Sequence, residues 1–506
     1  MTNRTGLANL LRILRTSRAR KLGAAIAVPA AFAASVLLTS KDASAQEWLK
    51  DRRYQEGAGL RTGDFEFHPG IGGEVGYDSN FFLRTHKEDP RFVNGAPQNP
   101  PVEAGVIRVT PSLTVTTSRA PQRDEGAAPA PPPLFVFNAG IAATYREFLG
   151  PQEIRDQRNV SGNANVRLDI NQGRPIGFGV FATYQRLIQP SVVADPNLSF
   201  NRSDVGAGAE LIAIPGGGTL DLRAGYQVRG ALFEESNGAP FTNITHELSM
   251  RNRWRFRPRT ALFHDTSLRF INYPNSDRSL NYLNDSTPLR TRFGVTGLLT
   301  DRFGVLLAAG YGATFFKSTP ASVGGQDPRQ QYDSINAQAE GTFYLSQGAG
   351  AGEPGQATLL LSTLTFGYLR DFQNSLLGNY FESNKGYAKI VYFFGGKVLL
   401  QLEGFGEALG YPQPFYNSGT GPVAVNGANG LPVGDFTNIR VGATFFAEYR
   451  FTNAFALNTT IDYAQMLSDT AIESGAAAPG TPTNTAPLFD LSWRRFQAYI
   501  GARYFF

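Results

Sequence analysis

From Gly70 to the last residue one pattern dominates the chain: apolar and polar side chains alternate with period two. Successive residues of a β-strand point to opposite faces, so each such segment has one apolar and one polar face. Between Asn159 and Ile170, for example, Val160, Ala164, Val166, Leu168 and Ile170 share one face, while Asn159, Ser161, Asn163, Asn165, Arg167 and Asp169 share the other. The segments run to about 12–18 residues, against a usual strand length near 5–6 in soluble sandwiches. A tilted strand crossing a bilayer needs about 9–11 residues in the apolar zone, plus extensions. The expected fold is therefore all-β, a transmembrane antiparallel up-and-down barrel. Aromatic residues near segment ends (Tyr145 and Phe148, Tyr184, Trp254 and Phe256, Phe270 and Tyr273, Tyr449 and Phe451) fit interfacial girdles.

The alternation predicts eighteen strands, starting near residues 70, 104, 134, 157, 175, 202, 219, 242, 259, 287, 303, 331, 357, 383, 397, 436, 454 and 490. Every second connection is short, as at 172–174, 215–218, 257–259, 300–302, 395–396 and 452–453. The connections between them are long and polar, as at 188–201, 272–287, 317–331, 409–435 and 467–489. Bacterial outer-membrane barrels have an even strand count, short periplasmic turns and long external loops. One connection departs from this parity: 119–133, with Pro-rich 128–133, is long where a short turn is expected. Sixteen strands is the alternative count.

The ends of the chain agree with export. Arg-rich residues precede an apolar run, Leu22 to Leu38, and then Ala43-Ser44-Ala45, the order of a secretory signal cleaved after Ala45. A single membrane anchor is the alternative, but the run is short, Ala-rich and broken by Pro29. Residues 1–45 read as signal peptide, 46–69 as a charged periplasmic lead-in, and 70–506 as barrel. The net charge of +5 belongs to the leader, because the remainder holds 40 basic and 41 acidic residues. No nucleic-acid partner follows from it. The last segment alternates Phe496, Ala498, Ile500, Ala502, Tyr504 and Phe506 with Arg495, Gln497, Tyr499, Gly501, Arg503 and Phe505. A barrel has no free edge, so this strand must close on the first. The pattern resembles the terminal strand of Gram-negative outer-membrane proteins. That likeness implies that Tyr504 and Phe506 are read by the barrel assembly machinery and that the destination is the outer membrane.

The first segment, Phe67-His68-Pro69-Gly70-Ile71-Gly72-Gly73-Glu74-Val75-Gly76-Tyr77-Asp78-Ser79-Asn80-Phe81-Phe82, resembles the opening of the beta-barrel porin 2 family, where a Gly-rich strand ends in a Tyr-Asp-x-Asn-aromatic turn. The resemblance would extend over most of residues 65–506. It implies a kinship with barrels associated with exopolysaccharide export, some of which supply the pore for a periplasmic export protein. Asp78-Ser79-Asn80 read by itself is an Asx-type turn; a calcium site is the alternative, with few of the six to eight oxygens that ion takes.

Arg251, Arg253, Arg255 and Arg257 fall at period two, opposite Met250, Asn252, Trp254 and Phe256. A charge facing lipid at the midplane costs about 2–4 kcal/mol, so these arginines face the lumen, as do Arg269, Arg290 and Arg292. Such a stripe favours anionic solutes or acidic sugars. The alternative is neutralisation by Glu210, Asp221, Glu340, Glu403, Glu407 and Glu448, all inward by alternation. Arg251, Arg253, Arg255, Arg269, Arg290 and Arg292 are the candidate permeation path. The four histidines (His68, His86, His246, His264) form no catalytic or metal-binding pattern, and neighbours such as His264 and Asp265 point to opposite faces. No enzyme, cofactor or metal is expected. Three readings remain: a conduit for polysaccharide acting with a periplasmic export protein, a diffusion porin for small polar solutes, and a structural or adhesive barrel with a closed lumen. Lipid is a partner in all three.

Overall fold

A computed structural model describes residues 59–87, 100–117, 134–188, 201–234, 241–275, 284–317, 331–345, 362–375, 379–394, 397–417, 422–427, 430–452, 454–473 and 488–506. The expected leader, most of the 46–69 lead-in and the Pro-rich link lie outside these residues.

Eighteen long strands form the wall: β1 (Phe65–Asp78), β2 (Ala104–Thr116), β3 (Phe135–Leu149), β4 (Asn159–Ile170), β5 (Ile176–Leu187), β6 (Arg202–Ala213), β7 (Leu220–Phe233), β8 (Asn243–Arg257), β9 (Thr260–Asn272), β10 (Ser286–Thr300), β11 (Phe303–Phe316), β12 (Tyr332–Tyr344), β13 (Thr363–Asn374), β14 (Tyr380–Phe394), β15 (Val398–Tyr411), β16 (Phe436–Arg450), β17 (Phe455–Leu467) and β18 (Trp493–Phe505). Each pairs antiparallel with its sequence neighbour, and β18 returns to β1 from Gly70↔Phe505 to Asp78↔Gln497. Closure pairs the first strand with the last, so that backbone polar groups along the wall bond between strands rather than to water, as a bilayer demands. The eighteen-strand expectation holds. The first strand starts at Phe65, ahead of the expected 70, and the thirteenth at Thr363, after the expected 357.

The C-terminus is held at the seam. The N–H of Phe506 donates to the Pro69 carbonyl at 3.0 Å, and the N–H of Gly59 donates to the Phe506 carbonyl at 3.0 Å. Residues Leu60–Thr62 fold back on Phe65–Phe67 and occupy the edge of β1 that lies beyond the end of β18.

The outward face is apolar, with Phe293, Ile335 and Ile500 each more than 60% exposed. Only lipid can cover such a belt, which places the barrel in the outer membrane. Aromatics gather at the short-turn end, where Trp254 meets Phe256, Tyr449 meets Phe451, Phe303 meets Phe343 and Tyr504 meets Phe506. By the rule for bacterial barrels this end is periplasmic. One expected girdle residue is misplaced: Phe148 points inward and is buried with Phe81, Val106, Ile154 and Tyr499. Its even position on β3 makes it a lumen residue, and the short helix Gln152–Arg155 sets Ile154 against it.

A second inward cluster joins Phe316, Tyr332, Phe372 and Tyr380. It forms because β13 leaves β12. Their ladder ends at Ala337↔Arg370, whereas β13 stays paired with β14 as far as Asn374↔Tyr380. The freed outer half of the β13–β14 hairpin leans over the inner faces of β10, β11 and β12. There Phe372 stacks on Tyr332 with ring centroids 4.2 Å apart. Arg370 fills the seam so created, donating to the Ile335 carbonyl at 3.1 Å and the Ser334 hydroxyl at 3.0 Å.

Candidate functional site: an arginine wall in the lumen

Strands β4 to β10 carry most of the lumen's positive charge. Their inward positions, short of the turn residue Arg257, hold ten arginines and six carboxylates, an excess of four positive charges. The inward positions of the other eleven strands hold eight cations and nine carboxylates. One wall is thus basic, and the remainder is close to neutral.

The arginines stand in order because carboxylates stand among them. Glu210, only 5% exposed, accepts from Arg251 at 2.6 Å and Arg167 at 3.2 Å, with Arg223 at 3.8 Å. Arg167 also pairs with Asp169 at 2.7 Å, and Arg223 with Asp221 at 2.8 Å. Arg269 lies 3.2 Å from Glu247, and Arg292 lies 3.2 Å from Asp265 while donating to Gln338 at 2.8 Å. Arg290 donates to Asp371 at 2.9 Å and to the Phe372 carbonyl. A buried carboxylate that loses its cation leaves an uncompensated charge, so these pairs fix geometry more than they add stability.

All six candidate arginines therefore face the lumen, and Arg251, Arg269, Arg290 and Arg292 are ion-paired. Arg253 and Arg255 have no ion-pair partner among the described residues. Of the acids expected to neutralise the stripe, Glu210 does so through Arg251, while Asp221 holds Arg223 on the neighbouring strand. The others serve elsewhere: Glu340 accepts from Tyr387 at 2.5 Å, Glu403 pairs with Lys389 at 3.5 Å, Glu407 accepts from Arg440 at 2.9 Å and Glu448 from Arg450 at 2.6 Å. At the turn, Arg259 pairs with Asp301. Alternation identifies the strand-borne arginines and acids among these as inward. It does not show which stand side by side, and so the parts of Arg167, Arg223, Arg229, Glu247, Asp265 and Asp371 are missed.

Arg290 and Arg292 reach far because their neighbours are small. The β11 positions beside them are Gly312 and Gly310, respectively. A Cβ on Gly312 would lie 2.6 Å from the Asn336 amide and 2.7 Å from Cε1 of Phe372.

The Tyr-Asp-x-Asn turn of the first strand is structural. The Asn80 N–H donates to Asp78 Oδ1 at 3.1 Å, the Asx turn expected from sequence. Asp78 also accepts from Arg495 Nε at 3.0 Å and Gln497 at 3.0 Å on β18. Asn80 donates to carbonyls of Arg84 and Arg494 at 2.7 and 2.9 Å. The motif ties the first strand to the last. Among the histidines, His264 points outward, stacked on Phe293 at 4.2 Å and hydrogen-bonded to Thr266 at 2.8 Å, on the opposite side of the wall from Asp265.

No protein-family model matches the chain, and no curated protein does. Solved structures with a similar course include OccAB4 of Acinetobacter baumannii (11% identity, TM-score 0.40, covering 87% of this chain and 98% of that one). A BenF-like porin of Pseudomonas fluorescens gives 11% identity and a TM-score of 0.41 over 88% and 99%. The FrpB iron transporter of Neisseria meningitidis gives 10% and 0.40 over 92% and 83%. Likeness at this level says nothing about cargo.

Proposed function

We propose that the chain is an outer-membrane pore for polar solutes that favours anions, which travel along the wall of β4–β10. The supporting observation is the excess of four positive charges on one side of the lumen, with Arg253 and Arg255, toward the short-turn end, in no ion pair among the described residues. A low-dielectric wall focuses the field of such charges and concentrates counter-ions. Rings and stripes of side-chain charge set pore selectivity in the same way. The test is the reversal potential of the purified barrel in a planar bilayer under a KCl gradient. Wild-type protein is expected to favour chloride and Arg253→Glu to favour it less. Cation preference that Arg253→Glu leaves unaltered would sink the reading.

A second reading rests on the first strand's family resemblance. It takes the moving solute to be a secreted acidic polysaccharide, delivered by a periplasmic export protein. Loss of the gene would then abolish surface polysaccharide, and unchanged polysaccharide would defeat it. Under either reading Tyr504 and Phe506 are the end recognised by the barrel assembly machinery. Removing Phe506 should lower the assembled fraction several-fold, and normal assembly would remove that role.

A further inference from the structure

Strand register brings together residues that are scattered along the chain. Across β6 to β10 one lumen row reads Glu210, Gly225, Ser249, Ser267, Arg290. The next row toward the short-turn end reads Arg223, Arg251, Asp265, Arg292 across β7 to β10. The row toward the long-connection end reads Gln227, Glu247, Arg269 across β7 to β9. The middle row is short where both flanking rows are long. The result is a recess of about 480 Å³ in the wall. Gly225, Ser249 and Ser267 make its floor, and guanidinium and carboxylate groups make its rim.

We propose that this recess is a binding site for a small hydroxylated carboxylate, a sugar acid. The inference rests on the anion-favouring pore above and names the solute class that lingers in it. Three features carry it. First, the rim guanidiniums are held by carboxylates yet keep unused donors. Each Arg has five N–H groups in a fixed fork, and Arg251 spends Nη2 on Glu210. Arg229, also at the recess, donates Nη2 to Gln227 at 3.1 Å and makes no other side-chain bond among the described residues. Forks of this kind match a carboxylate's two oxygens. Second, rim acids alternate with the arginines: Glu247 and Asp265 flank the serine floor on either side. An inorganic anion would find these acids repulsive. A solute with hydroxyls beside its carboxylate can donate to them, so the mixed rim selects for that combination. Third, the floor supplies two hydroxyls that both donate and accept. A Cβ on Gly225 would stand 2.8 Å from the Ser249 hydroxyl and take up floor space.

The test uses the full-length barrel in a planar bilayer carrying a chloride current, with galacturonate or acetate added as the probe. Galacturonate is expected to block the current saturably, at concentrations at least tenfold below those at which acetate acts. The Ser249→Val/Ser267→Val double substitution should reduce that galacturonate-to-acetate ratio to near one. Gly225→Ala fills the floor without removing a hydroxyl and should reduce the ratio too, which keeps the test decisive if the double variant fails to assemble. Equal block by both anions in wild-type protein, or an unchanged ratio in the variants, overturns the site. A barrel that prefers chloride but does not distinguish galacturonate from acetate loses the recess and keeps the pore. A barrel without anion preference loses the pore reading itself.

Discussion

Arg290 on β10 crosses the inner faces of β11 and β12 to hold the Asp371 carboxylate on β13 at 2.9 Å. The two residues are 81 positions apart in the chain. The guanidinium also lies over the Phe372 ring, 4.2 Å from its centroid, and Asn374 donates to the Ser286 hydroxyl at 2.7 Å. A residue of the proposed anion path thus holds down the hairpin that leans into the lumen.

If that hairpin limits the current, pinning it should lower conductance. The chain has no Cys, so a Ser286→Cys/Asn374→Cys pair, placed where the two side chains now hydrogen-bond, would hold its only thiols. Oxidation is expected to lower single-channel conductance and quieten the open-channel noise, and a reductant to restore both. Asp371→Asn should act in the opposite direction. Identical traces in oxidised and reduced protein would show that the hairpin is fixed in any case.

The closing seam depends on a glycine. A Cβ on Gly76 would overlap the Tyr499 ring and the Ala498 carbonyl, and Arg108 lies over the same ring, 3.2 Å from its centroid. The ring has no room to retreat. Gly76→Val should cost more than the roughly 1–3 kcal/mol usual for an overpacked site. On an unheated gel most of the protein should lose the compact mobility of a closed barrel. Adding Tyr499→Ala should recover part of it. Undiminished closure of Gly76→Val would mean that the seam is looser than these contacts.

At the long-connection end, just past β7, Glu234 accepts two hydrogen bonds from Arg186 at 2.6 Å each, which hold its carboxyl below the usual range. A folded-state value below the unfolded one stabilises above the unfolded value, near 4.3, and the gain disappears as pH falls through the folded one. This tie is therefore present at neutral pH and lost in acid. Arg186→Gln should speed hydrogen exchange of the Glu234 amide, which donates to the Asn201 carbonyl. The effect should reach about fivefold at pH 7, in keeping with roughly 0.2–1 kcal/mol for an exposed pair. After correction for intrinsic rates it should vanish near pH 3. A difference that persists in acid would assign the effect to the Arg186 bond to the Val160 carbonyl instead.

Alternation in the sequence determined the strands, their number and the side to which each side chain points. Period two is a local property of an extended backbone beside an apolar solvent, and it needs no knowledge of neighbours. It placed Arg251, Arg253, Arg255, Arg269, Arg290 and Arg292 in the lumen and Tyr504 at the seam. Which lumen residues stand beside one another follows from inter-strand register and from the shape of the wall, and these only the tertiary structure decided. Ser249 and Ser267 become the floor of a recess because the ladders put them opposite each other and beside Gly225. Arg290 reaches Asp371 because Gly312 clears the way and β13 leaves β12 after Arg370. Phe148 reads as a girdle residue by its place near a strand end, although its even position turns it inward; only the fold packs it against Phe81, Tyr499 and Ile154, the last five positions beyond the end of its strand's pairing with β2. Each of these depends on contacts between distant segments, for which a single strand's pattern carries no information.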